Sequence, residues 1–226
     1  MAAKAATNTI PVVFSIGRDP VALGLIASLN HPGGNATGAT WLAEELTAKR
    51  CELLHESVPS VATIGYLTNL TQSRTEAAKR EAEGAARVLG VGLTILNASN
   101  PSEIETTFGS LAERRIGAMI VGDDDPLFFT QTDLLAAPSA RFKVPAIHYE
   151  REFVDAGGLM SYGASVADAH RIAGNYAGRI LRGEKPADLP VQRSTRIEMV
   201  LNLKTAKALG LALPTATLLR ADAVIE

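Results

Sequence analysis

Cysteine is nearly absent from this sequence. Cys51 is alone in 226 residues, which excludes an internal disulfide and leaves the fold to its core. An excess of either charge is missing too: 22 Lys and Arg stand against 24 Asp and Glu, a formal net charge of −2, and no basic run offers a footprint for nucleic acid. No apolar stretch approaches the roughly 18–20 residues needed to span a bilayer. The opening residues MAAKAATNTIPVVFSI lack the apolar centre and cleavage site of a secretory signal. There is no GxGxxG and no Walker loop, so no nucleotide cofactor is expected. What remains is 46% hydrophobic residues with 19 Gly and 11 Pro, the composition of a globular protein with a substantial core.

Strand-like and helix-like runs alternate almost throughout. Ile10–Ile16, Ala36–Thr40, Thr63–Leu67, Val91–Leu96, Ala118–Val121, Val144–Ile147, Leu159–Ser161 and Glu198–Leu201 read as strands. Val21–Leu29, Leu42–Val58, Ser73–Leu89, Ser102–Arg115, a segment reaching Phe142, Val166–Arg182 and Leu203–Leu209 read as helices. Pro138 is expected to kink or split the helix it falls in. Short, continuously apolar strands in this rhythm predict an α/β fold with a parallel sheet covered on both faces. The first strand is as apolar as an interior one, yet little precedes it. It is either an edge, or the chain begins in the middle of a domain.

In such sheets ligands bind beyond the carboxyl ends of the strands. The residues found there are Gly17, Arg18 and Asp19; Thr40 and Trp41; Asn69, Thr71 and Gln72; Gly122 to Asp125; Tyr149 to Arg151; and Ser161 to Gly163. Any one of these groups reads as a turn or a helix cap. Six together read as a surface that orients a small polar or stacking ligand. Asp123–Asp125 could hold a hard cation, but alternation along an extended segment spreads the three carboxylates, and no metal is expected. Cys51 and His55 share a helix face without the further ligands of a zinc site, and they read as packing. His148 has no serine elbow or paired acid at a recognisable spacing.

The segments IPVVFSIGRDPVALGLIASLNHPGGNATGAT, LTAKRCELLHESVPSVATIGYLTN, REFVDAGGLMSYG and RILRGEKPADLPVQRSTRIEMVLNLKTAKALGL, in that order along the chain, carry a resemblance. They resemble the bacterial ABC-transporter substrate-binding protein family that includes tryptophan- and tyrosine-related uptake proteins. That resemblance implies a type I periplasmic-binding-protein-like fold, two Rossmann-like lobes with parallel sheets, the first lobe incomplete. Residues 1–40 would be a remnant of the N-terminal lobe and 41–165 a complete α/β lobe. Residues 166–226 would be a crossing helix and a tail returning toward the first lobe.

The implied function is the solute-binding component of an ABC importer, clamping a small polar or aromatic molecule, an amino acid among the options, and serving a membrane permease. The implied ligand contacts are Gly17, Asp19 and Thr40 on the first lobe, with Asn69, Asp124, Tyr149, Glu150 and Tyr162 on the second. No cofactor and no catalytic residue is implied. Full-length family members are periplasmic or lipoprotein-anchored, whereas this chain shows no signal peptide and reads as truncated. Two other readings stay open: an α/β hydrolase or isomerase using the His148 and Glu150 region, and the ligand-sensing domain of a regulator.

Overall fold

Four consecutive apolar residues, Ala118 to Val121, are all buried, and they send their side chains to opposite sides of one sheet. Ala118 and Ile120 join one apolar cluster, while Met119 and Val121 join another, as the two-residue period of a strand requires. The computed structural model describes residues 2–41, 46–72, 75–122 and 125–226. These fall into two units, Met1–Leu42 with Ala164–Ile197, and Ala43–Gly163 with Glu198–Glu226.

In chain order the elements are α1 (Ala2–Ala6), β1 (Val12–Ile16), β2 (Ala36–Thr40), α2 (Thr47–Ser57), β3 (Thr63–Thr68), α3 (Thr75–Leu89) and β4 (Gly92–Asn97). Then come α4 (Pro101–Ser110), β5 (Ala118–Val121), α5 (Pro126–Thr130), α6 (Thr132–Arg141), β6 (Ala146–His148), α7 (Arg151–Asp155), β7 (Met160–Ala164) and α8 (Val166–Leu181). A 3-10 turn at Pro186–Asp188 leads to β8 (Gln192–Arg193), β9 (Ile197–Asn202), α9 (Leu203–Ala208), α10 (Thr215–Arg220) and β10 (Ala223–Ile225).

The second unit is built on a seven-stranded sheet in the order β10-β9-β7-β6-β5-β3-β4. Every pair in it with a defined register runs parallel. One face packs Ile64, Tyr66, Ile120 and Ile147 against Leu53 and Leu54 of α2 and Ala78 and Ala82 of α3. The other packs Leu67, Met119 and Val121 against Ile104 and Phe108 of α4, Phe128 of α5, Leu135 of α6 and Phe153 of α7. The first unit carries a three-stranded parallel sheet, β1-β2-β8. Two apolar groups accompany it, one of Phe14, Leu25, Ile26, Ala36 and Val191, the other of Ala39, Trp41, Ala169 and Ile172. Among the described residues β1 pairs only with β2.

Several expectations change. Val21–Leu29 is a series of turns rather than a helix. Asp19 accepts from the Val21 and Ala22 amides, and Gly24 sits at φ +66°, so the chain cannot continue helically. Pro138 lies inside α6, which runs on past it. The proline removes one amide donor, and the helix still closes at its end through the Phe142 amide on the Pro138 carbonyl. The tail expected beside the first lobe instead supplies β9 and β10 to the second unit's sheet. Its apolar run Met199 to Leu201 is buried among that unit's residues, which is the physical reason it stays there. The start of the helix expected from Leu42 lies partly outside the described residues.

Phe108 is enclosed by one apolar cluster of the seven-stranded unit. Its replacement by Ala should cost about 3–5 kcal/mol. Urea unfolding checks this, with a lower midpoint and an unchanged slope.

Candidate functional site

Parallel pairing places the carboxyl ends of β3, β5, β6 and β7 along one edge of the seven-stranded sheet, with Leu67 beside Val121, Ile120 beside Ile147 and His148 beside Ser161. Whatever follows these strands is therefore gathered on a common rim.

Asn69, directly after β3, builds its own loop. Its side-chain oxygen accepts from the Thr71 amide at 3.0 Å and the Thr71 hydroxyl at 2.7 Å, and its carbonyl accepts from the Thr75 hydroxyl at 2.7 Å. Its Nδ2 donates to the Asp125 carboxylate, which also accepts from Gln72 Nε2 at 3.1 Å and from the Leu127 amide at 2.6 Å. Asp125 is thus both the cap of α5 and the bridge between the loops after β3 and β5. On the far side of β3, Asn97 Oδ1 accepts from the Leu70 amide at 2.9 Å. Asp124 lies outside the described residues.

The end of β6 is different in kind. His148 is completely buried, with its ring 4.5 Å from that of Tyr149 and 5.6 Å from that of Phe153. Its Nδ1 accepts from the Glu150 amide at 3.3 Å, which leaves the proton on Nε2, and Nε2 has no partner among the described residues. Burial pulls the imidazole down to about 3, and the positive charge of Arg50 pushes the same way, so the ring is neutral at any physiological pH. Glu150 is only 4% exposed, and no described group donates to its carboxyl. Burial pushes that carboxyl up to about 8, with the negative charge of Glu152 adding to the effect.

Tyr149 lies between these two. Its ring is 6.0 Å from the guanidinium of Arg50, which is itself 1% exposed and donates to the Thr47 hydroxyl at 3.3 Å. Tyr162 on β7 is partly exposed and packs at the margin of the cluster that holds Tyr66 and Ile147. Beside it, Gly163 admits the β6 end closely. A Cβ there would stand 2.1 Å from the Tyr149 carbonyl oxygen, so only glycine fits.

In the first unit, the three expected contact residues are each engaged in holding local structure. Asp19 caps its turn, and the Thr40 hydroxyl donates to the Arg18 carbonyl at 3.1 Å. Gly17 makes room for Trp41, whose Nε1 would be 2.7 Å from any Cβ. Of the sequence-selected residues, Asn69, Tyr149, Glu150 and Tyr162 share the rim of the seven-stranded sheet, and Gly17, Asp19 and Thr40 share the strand ends of the other unit. Arg50 was missed as an organiser of the rim, and Asp125 was collected at its strand end while Asp124 was chosen as the contact. A signal for Arg50 existed: it lies three residues after Thr47 and four before Leu54, on the buried stripe of α2.

The buried acid makes stability depend on pH. Between its ordinary value of 4.5 and about 8, the folded protein keeps a Glu150 proton that the unfolded chain has released. The stabilisation is full below the lower value and lost as pH rises through the upper one. Glu150→Gln, which copies the protonated shape, should melt like the parent near about pH 4 and several degrees higher near about pH 8.5, at roughly 2–4 °C per kcal/mol. Differential scanning calorimetry at the two pH values reads this directly, and equal melting at both would contradict it.

The chain is similar over its whole length to known binding proteins. A tyrosine-binding protein of Clostridioides difficile is 28% identical over 211 residues, 93% of this chain and 60% of that protein. The chain therefore spans about three fifths of the length of that curated relative. Among solved structures, an ABC domain from Streptococcus pneumoniae in complex with L-Trp matches 98% of this chain and 76% of its own, at 26% identity and a TM-score of 0.78. A conserved domain protein from Vibrio cholerae matches 99% and 74%, at 26% identity and a TM-score of 0.80. The ligand-free, open structure of a substrate binding protein with adhesive properties from Clostridium difficile matches 99% and 74%, at 27% identity and a TM-score of 0.70. These are periplasmic-binding-protein-like folds, and the parallel sheets here agree with them. The family model for ABC transporter substrate binding proteins matches residues 1–225, and the chain belongs to that family.

Proposed function

We propose that this chain recognises a small polar or aromatic solute for an ABC importer, outside the cytoplasm, and delivers it to a membrane permease. The observation that carries the reading is the rim formed by Tyr149, Glu150 and Tyr162, stiffened from below by Arg50 and from the side by the Asn69–Asp125 bridge. Such a rim offers an aromatic face and buried polar groups in fixed positions, which is what selective capture of a small molecule needs. The relatives named above, one a tyrosine-binding protein and one holding L-Trp, place aromatic amino acids first among the solutes to try.

Catalysis fits the geometry poorly. One His148 nitrogen is occupied by a backbone amide and the other touches no hydroxyl or thiol among the described residues. Burial drives the Cys51 thiol up to about 12, which removes it as a nucleophile. Among the described residues no helix is long and apolar enough to cross a membrane.

Isothermal titration with L-tyrosine, L-tryptophan, other amino acids and aromatic heterocycles should reveal saturable binding of at least one. Tyr149→Ala should weaken it roughly ten-fold or more through loss of the ring face. Gly163→Ala, which displaces the Tyr149 backbone, should weaken the same ligand while leaving the far-ultraviolet circular dichroism intact. Turnover of any bound compound, abolished by His148→Ala, would replace the receptor reading with the enzymatic one.

A further inference from the structure

We propose that Glu150 is the acceptor for a positively charged nitrogen of the solute, so that this rim selects molecules carrying an ammonium or similar cation. The inference rests on the solute-receptor reading and deepens it.

Glu150 is a buried acid that receives no hydrogen bond among the described residues. It follows β6 at the rim, its carboxyl caps nothing, and no described N–H or O–H reaches it. The cations nearby are committed elsewhere. Arg50 on α2 holds the Tyr149 ring and the Thr47 hydroxyl, and Arg151 on α7 turns outward to Asp155 at 3.3 Å. Among the described residues, the other charged or titratable groups on these elements are Lys49, Cys51, Glu52, His55 and Glu56 on α2, Glu152 and Asp155 on α7, His148 and Tyr149 at the end of β6, Tyr162 on β7 and Asp125 before α5. Of these, Glu152 repels a negative charge at Glu150.

A buried carboxylate without donor or counter-ion is costly, and the free protein relieves the cost by keeping the group protonated. An ammonium arriving at the rim would relieve it in another way. The O–H bond of the acid breaks, its proton leaves to solvent, and the resulting carboxylate accepts from the ligand nitrogen. Net charge balances, one cation in and one proton out. Two residues earlier, His148 presents a neutral Nε2–H, also buried and also without a partner among the described residues. An acceptor and a donor left open at one strand end suit a ligand that brings both an ammonium and an oxygen acceptor.

The test uses matched pairs on the same protein: L-tyrosine against 3-(4-hydroxyphenyl)propionate, L-tryptophan against indole-3-propionate, and tyramine against 4-ethylphenol. Titrations run near neutral pH in phosphate and in Tris, so that the buffer dependence of the heat counts protons. We expect the amine of a pair to bind and its deaminated partner to bind roughly ten- to hundred-fold more weakly, with close to one proton released per ligand. Glu150→Gln should remove both the preference and the proton release, while its melting curve shows that it is folded. Equal binding of both members of a pair, or an unchanged preference in Glu150→Gln, would overturn the assignment and leave the receptor reading standing. Failure of every compound in this set and in the wider panel to bind the parent protein would count against both.

Discussion

In the seven-stranded sheet, neighbouring residues of one strand lie under different helix layers, Ile120 beneath α2 and α3, Met119 and Val121 beneath α4 to α7. A strand buried on both faces has nowhere to place a polar side chain along its length. Polar chemistry is therefore expelled to the strand ends, and parallel pairing collects those ends on one side. The rim containing Asn69, Asp125, Tyr149 and Glu150 exists because the sheet beneath it admits so little else. The same constraint explains why Arg50 matters. It enters the layer from α2, reaches the rim from below, and meets it through an aromatic ring.

The rim holds two kinds of polar residue. Asn69, Gln72 and Asp125 satisfy one another and the backbone around them, and a closed network of this sort fixes loop shape. Among the described residues nothing donates to the Glu150 carboxyl, which is 4% exposed, and the Nε2 of the fully buried His148 has no partner. Fully paired groups set geometry, whereas unpaired buried groups store free energy that a partner can release. Here the two kinds occupy adjacent strand ends.

Much of this was legible in the sequence. Ala118–Val121 could hardly be anything except an interior strand, and the inventory of strand ends put Asn69, Tyr149, Glu150 and Tyr162 forward together. Burial was not legible. Nothing in the letters separates Glu150, which is enclosed, from Glu152 two residues on, which is exposed. Asp125 could not be told apart from Asp123 and Asp124, because its distinguishing feature is the distant Asn69. Val21–Leu29 has helical spacing, yet Asp19 and Gly24 impose turns, a case of local side-chain chemistry outweighing periodicity. The tail was misplaced for a topological reason. Whether β9 joins one sheet or another depends on which edge is open, and an edge is a property of the assembled fold.

The chain passes between its two units at 42–43, 163–164 and 197–198, so neither unit is a continuous piece of polypeptide. The hydrogen bond from the Thr37 hydroxyl to the Leu189 carbonyl, 2.6 Å long, joins residues 152 apart within the first unit. During synthesis β1 and β2 emerge early and must wait for α8 and β8, while β3 to β7 can pair as they appear. Closing so long a loop costs little more entropy than closing a short one, but it is slow, because non-local contacts are rewarded only after closure. The order of the letters thus makes the β1-β2-β8 sheet a product of long-range closure, completed only after β3 to β7 have been made.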